Sequence, residues 1–186
     1  VKALTAVART RLDKFIPLLL TLCQQSVSGH IALQRILPLI EAILRRSAYL
    51  VLMLENPNAL RQLVYLCSES SWIAEQISRY PALLDELLDS RALYTVQDKN
   101  AIRQEMRQDM LRIPGGDLEA QMEALRYFRR AQALRIAACE VEEVLPLMKV
   151  SDNLTWLAEV ILEQVLVLAW DWMTAKYGQP GKQEES

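Results

Sequence analysis

The chain has 186 residues, 52% hydrophobic and 24% charged, and its 21 Lys and Arg against 23 Asp and Glu give a formal net charge of −2. A chain of this length buries roughly 70% of the surface its unfolded form exposes, while so even a charge balance supplies no field to gather nucleic acid or an anionic membrane. Three cysteines far apart, Cys23, Cys67 and Cys139, exclude a disulfide framework and a CxxC metal clip and point to a reducing cytoplasm.

Glycine is scarce, with 5 residues, and apolar positions recur at helical spacing almost throughout. The spacing predicts a first helix from about Ala3 to Gln25, burying Leu4, Val7, Leu12, Phe15, Leu19 and Leu22, and closed by Ser26 to Gly29. A second stretch starts near His30, passes Ile36, Leu39, Ile40, Ile43 and Leu44, and continues through Tyr49 to Leu54, where Asn56-Pro57-Asn58 stops it. Pro57 suits the first turn of a following helix with Leu60, Leu63, Val64 and Leu66 on its apolar face. Ser70 or Ser71 caps the next, with Glu75 placed to complete a capping box and Trp72, Ile73 and Ile77 facing inward. Tyr80-Pro81 opens a short helix, Ala82 to Leu88, carrying Leu83, Leu84, Leu87 and Leu88.

Asp89 to Gln97 is a less regular connection and a candidate hinge. A helix from about Asp98 to Arg112 follows, with Ile102, Met106, Met110 and Ile113 on one side. Pro114-Gly115-Gly116 breaks it, and Asp117 caps a long helix reaching about Leu145, striped by Leu118, Met122, Leu125, Phe128, Leu134, Ala138 and Val141. Pro146 and Leu147 to Val150 form a turn. Ser151 or Asp152 then caps the last helix, striped by Leu154, Leu157, Ile161, Val165, Leu168 and Trp172 and ended by Gly178.

These elements specify an all-α fold: an irregular bundle of short helices followed by long antiparallel helices. The expected division is a helical linker or regulatory segment over 1–96, a long-helix segment over 97–178 and a disordered polar tail over 179–186. A membrane span needs about 18 consecutive apolar residues; the run from Phe15 to Cys23 is short, and Val160 to Trp170 is broken by Glu163 and Gln164, so no span is expected. A chain starting at Val1, without the order of a signal peptide, and closing on a polar tail reads as excised from something longer.

Few residues invite chemistry. The glycines lie at 29, 115, 116, 178 and 181, which makes neither a P-loop nor a GxGxxG turn. Gly115-Gly116-Asp117-Leu118-Glu119 has the look of the acid-bearing turn with which nucleotidyltransferases hold magnesium, but acids that open a helix commonly serve the positive end of its dipole. His30 is the single histidine and reads as a surface or capping residue. Cys67 and Ser68 have no histidine near in sequence, so no nucleophile stands out and no catalytic, cofactor or metal residue is assigned. One basic group, Arg126, Arg129, Arg130 and Arg135, is either a solvated face paired with Glu119, Glu123 or Glu140, or an interaction face for an acidic partner or neighbouring domain. Trp156, Trp170 and Trp172 suit the core or a domain contact.

Four segments in order carry a resemblance: RRSAYL over Arg45 to Leu50 with Leu54 to Pro57; Trp72 to Gln76 with Arg79 to Asp89; Asp117 to Arg130 running into Leu134 to Ala138; and Val150 to Glu159. Together they resemble the central helical region of bifunctional glutamine synthetase adenylyltransferase/adenylyl-removing enzymes, and the similarity spans nearly the whole chain. The resemblance implies a helical region joining two nucleotidyltransferase domains. One of these adds AMP from ATP, with magnesium, to a tyrosine of glutamine synthetase; the other removes it, under the control of glutamine and the PII signalling protein. It implies glutamine synthetase, PII and the flanking nucleotidyltransferase domains as partners and a role in nitrogen assimilation, while the even charge balance leaves neither nucleic acid nor membrane expected. The Gly-rich turn and paired aspartates of the transferase domains are expected beyond the last helix, so these 186 residues are expected to be non-catalytic in isolation and to hold no cofactor of their own. Two other readings are a free-standing helical adaptor and a glutamine-sensing module with a pocket between helices.

Overall fold

Leucine- and alanine-rich stretches interrupted by few breakers produce ten helical elements and no strand among the described residues, 6–44 and 46–179, of a computed structural model. The expected all-α class is what the chain adopts. Leu4 and Arg45 of the sequence reading, and the tail beyond residue 179, lie outside the described residues. In chain order the helices are α1 (Ala6–Gln25), α2 (Gly29–Ile43), α3 (Ala48–Glu55), α4 (Pro57–Glu69), α5 (Ser71–Arg79), a 3-10 helix (Pro81–Leu87), α6 (Ser90–Leu93), α7 (Lys99–Leu111), α8 (Leu118–Val141) and α9 (Leu147–Tyr177).

The chain divides into two compact units: the first is Val1–Val96 with Ala133–Leu147, the second Gln97–Gln132 with Met148–Ser186. In the first unit α2 is central and packs against α1, α4 and α5. Phe15, Leu19, Ile36, Leu60, Leu63 and Ile73 are closed to solvent there; burying one such side chain stabilises by about 1.5–3 kcal/mol. α1 meets α2 so closely that a Cβ on Gly29 would lie 1.7 Å from the Cys23 carbonyl oxygen. The glycine expected to help end the first helix therefore also lets the two backbones approach here.

Local chemistry sets most helix ends. Pro57 opens α4, the Ser70 hydroxyl accepts from the Ile73 amide at 3.2 Å to cap α5, and the Asp98 carboxylate accepts from the Ala101 amide at 2.8 Å to cap α7. Gly178, at φ 81°, closes α9. With Ser70 as cap the third position is Ile73, so Glu75 stands too far along to complete a capping box.

Other expectations are corrected. The stretch expected from His30 to Leu54 is two helices: α2 ends at Ile43 and α3 begins at Ala48, and between them the Arg46 amide donates to Ile43 and the Tyr49 amide to Arg46. The Arg11 guanidinium donates to the Ser47 hydroxyl at 2.6 Å, fixing that corner to α1. The Asp89 to Gln97 connection contains α6, capped by the Asp89 carboxylate, which accepts from the amides of Arg91 and Ala92. α9 begins at Leu147, directly after Pro146, so Ser151 and Asp152 lie inside the helix. Asp152 pairs instead with Lys149 at 3.0 Å. α8 ends at Val141 rather than Leu145, on a cap in which Glu143 takes φ 56°. Val7, Trp72, Leu88 and Met122, all expected on buried faces, are exposed, whereas Ala8, Ile73, Leu87 and Leu125 close to them on the same turns are buried.

In the second unit Ile102 and Met106 of α7, Leu125 and Phe128 of α8, and Leu157 and Val160 of α9 are buried. Glu105 accepts from the Gln97 side-chain amide at 2.8 Å and from that of buried Gln132 at 2.9 Å. Lys99 reaches Glu159 at 2.6 Å, and Arg103 donates twice to Glu163, at 2.8 and 2.9 Å. α9 is 31 residues long with a mean hydropathy of 1.3 over its most apolar window, long and apolar enough to cross a membrane by length and composition alone. Two of its acids, Glu159 and Glu163, are engaged by Lys99 and Arg103 of α7, so one face of the helix is committed to protein contact.

Candidate functional site: a groove between the two long helices

The sequence places the groove-lining residues at the same helical offsets on α8 and α9, all apolar on α9 and three apolar with two arginines on α8. Leu118, Met122, Leu125, Arg126 and Arg129 on one, and Ile161, Val165, Leu168, Ala169 and Trp172 on the other, line a single groove of about 460 Å³ within the second unit. Each set reads i, i+4, i+7, i+8, i+11, so each forms one stripe along its helix. The start of α8 shares the groove with the later part of α9, as the expected antiparallel packing requires. Val165 and Trp172, expected as part of a covered stripe with Leu154, are among its exposed walls; Leu157 is the member of that stripe that is buried.

The arginine group divides between the two units. Arg126 and Arg129 edge the groove. Arg126 donates to Glu123 at 3.1 Å, and Arg130 approaches the same carboxylate at 3.8 Å. Arg135 belongs to the first unit and donates to Glu86 at 2.8 Å in a mostly buried pair. Arg126 and Arg130 lie one turn apart and share a helix face, which the spacing discloses; Glu86, 49 positions before Arg135, offers no local signal.

Further along α9, Leu166, Trp170, Met173 and Tyr177 form a second exposed apolar surface. Lys176 sits 4.8 Å over the Trp172 ring, whose edge meets Tyr177 at 6.5 Å between centroids. Trp170 falls on the domain-contact side of the two expectations for it, whereas Leu166, Met173 and Tyr177 carry no such signal in the sequence, because a helix apolar on several sides reads as buried.

The remaining chemistry-bearing residues are occupied or isolated. Asp117 accepts from the Ala120 amide at 3.0 Å and caps α8. His30 is exposed at the start of α2. All three thiols are buried, and burial pushes that of Cys67 up to about 12. Among the described residues no three His, Cys, Asp or Glu side chains gather in a way that could hold a metal ion.

What the fold and groove define is an all-helical segment with an apolar groove between its two long helices. Residues 60–186 match the family described as Glutamate-ammonia ligase adenylyltransferase, and the chain belongs to that family. It is 57% identical over 95% of its length to the bifunctional glutamine synthetase adenylyltransferase/adenylyl-removing enzyme of Hahella chejuensis, covering 18% of that protein. Proteins of the same name in Pseudomonas syringae pv. tomato, 53% identical over 97% of this chain, and Pseudomonas putida, 52% identical over all of it, are covered over 18% and 19% of their own lengths. The chain thus spans about a fifth of the relatives it matches.

Proposed function

We propose that these 186 residues form a non-catalytic helical region of a cytoplasmic enzyme that adenylylates and deadenylylates glutamine synthetase, and that they connect and regulate its nucleotidyltransferase domains. The observation that carries this reading is the combination of high identity over almost the whole chain with coverage of only 18–19% of the relatives. The apolar groove supports it, because exposed apolar walls suit contact with further protein. Chemistry with ATP and magnesium then belongs to other parts of the polypeptide, in keeping with a Gly115-Gly116-Asp117 turn whose carboxylate is spent on a helix cap. PII and glutamine act on the enzyme in this reading through its domain arrangement; the groove walls offer little to hold the polar ends of a free amino acid.

An adenylylation assay with radiolabelled ATP and purified glutamine synthetase tests it. The isolated 186 residues are expected to transfer no AMP, and deleting them from the longer polypeptide is expected to abolish regulation by PII and glutamine. Label on glutamine synthetase from the isolated residues would refute the reading. Calorimetric titration of the isolated residues with glutamine is expected to be silent at millimolar concentration; a saturable heat would favour the sensing module.

A further inference from the structure

We infer that the α8–α9 groove is the seat of an amphipathic helix from the same polypeptide, contributed by a part lying outside these 186 residues; this deepens the scaffold reading above and rests on it. The groove has the geometry for such an occupant. Its two walls present residues at the same i, i+4, i+7, i+8, i+11 offsets, apolar throughout on α9 and apolar over Leu118, Met122 and Leu125 on α8 before Arg126 and Arg129 edge it, and the valley between two such walls accepts the apolar ridge of a third helix. The stripes extend over eleven residue steps, so at about 1.5 Å per residue the seat is roughly 16 Å long and matches about three turns of the incoming helix.

The wall chemistry says what that helix must carry. Met122, Val165 and Trp172 are exposed walls and Leu125 is the floor, which calls for Leu- or Phe-sized side chains three and four positions apart. At the α8 edge Arg126 is already engaged by Glu123, whereas Arg129 is exposed and directed to the groove. An acidic side chain on the border of the incoming helix would complete it.

The source of the occupant follows from length. Relatives over 50% identical extend this chain about fivefold, since it covers 18–19% of them. More than four-fifths of such a polypeptide is therefore tethered to this groove, and tethering raises the effective concentration of a segment to the millimolar range. A free partner must compete with that. A bilayer would have to accept the charged edge and the α7-paired acids of α9, Glu159 and Glu163.

Peptide-resolved thiol labelling of the full-length polypeptide and of the 186-residue chain tests the inference. Val165→Cys places a thiol on the groove wall, and Val27→Cys, on the surface of the first unit, serves as the reference. The maleimide rate at position 165, normalised to position 27, is expected to fall at least tenfold in the full-length polypeptide. Arg129→Glu in that polypeptide is expected to restore labelling severalfold. Equal normalised rates in the two proteins would overturn the inference. So would protection of position 165 in the 186-residue chain by raising its own concentration, which would assign the seat to a second copy, or by phosphatidylglycerol vesicles alone, which would assign it to a membrane. Failure here leaves the adenylylation result above untouched, so the groove and the scaffold reading fall separately.

Discussion

In the unit formed by Val1–Val96 with Ala133–Leu147, large apolar side chains such as Phe15, Leu19, Leu60 and Ile73 are sealed, whereas in the unit formed by Gln97–Gln132 with Met148–Ser186, Leu162, Leu166 and Trp170 stand in solvent. The residue types are alike and the helix lengths differ. Short helices such as α3, α4 and α5 change direction every few turns, so each finds neighbours on several sides. A long α9 beside α7 and the start of α8 leaves the remaining side of its surface uncovered. The comparison teaches that apolar content fixes that a helix wants neighbours, while local chain reversals fix how many it obtains within the same stretch of chain.

The sharpest way to break the contrast is truncation. Phe15→Ala is expected to cost about 3–5 kcal/mol, the range for large core aromatics, whereas Leu166→Ala, at 69% exposure, should fall within about 0.5 kcal/mol of no effect. Urea denaturation of the two variants beside the parent checks both. A large loss at Leu166 would show that the second unit's apolar face is covered within these residues.

Backbone approach comes next. Gly29→Ala drives a methyl to 1.7 Å from a main-chain carbonyl that no rotamer change can move away, so α1 and α2 must separate. Overpacking of this kind costs about 1–3 kcal/mol, and the shift in urea midpoint reports it. Retained stability would mean that the α1–α2 crossing has slack. A smaller effect of opposite sign is expected at the end of α8, where Glu143 holds φ 56° while the Val144 amide donates back to Cys139 and the Glu143 amide to Glu140. This is a Schellman-type cap that prefers glycine. Glu143→Gly relieves a left-handed strain of about 1–2 kcal/mol and loses part of it to unfolded-chain entropy, for a net gain of about 0.5–1 kcal/mol in thermal or urea unfolding.

The split between what the sequence discloses and what it withholds follows the range of the interactions. Pro57, Asp98, Asp117 and Gly178 mark helix ends legibly because each acts on backbone groups within a few positions. The stripe of α8 that forms half the groove is legible for the same reason. The corner at Leu44 to Ser47 is not, since it contains neither glycine nor proline and is held by Arg11 from another helix. Nor is the exposure of Trp72 or Met122, which depends on which neighbour arrives rather than on periodicity. Arg135 illustrates the limit best: its place in a basic run suggests a patch with Arg126 and Arg129, and only folding reveals that Glu86 claims it.

Charge gives the finest test of the comparison. The Arg135–Glu86 pair of the first unit is mostly buried, whereas the Arg103–Glu163 pair that joins α7 to α9 is half exposed. Hydrogen bonds from Arg103, with further help from its charge and from Lys99, hold the Glu163 carboxyl below the ordinary glutamate range. A carboxyl lowered on folding contributes stability that is fully present above its unfolded value and is lost as the pH falls through its folded one. Acidification through and below the ordinary glutamate range should therefore loosen α9 from α7, and added salt should weaken the same contact at neutral pH. Hydrogen exchange of the Glu159 to Val167 backbone across an acid series should show this loosening, and Glu163→Gln should flatten the profile. An unchanged profile in that variant would place the acid response elsewhere and leave the apolar contacts of Met106 and Val160 as what holds this side of α9.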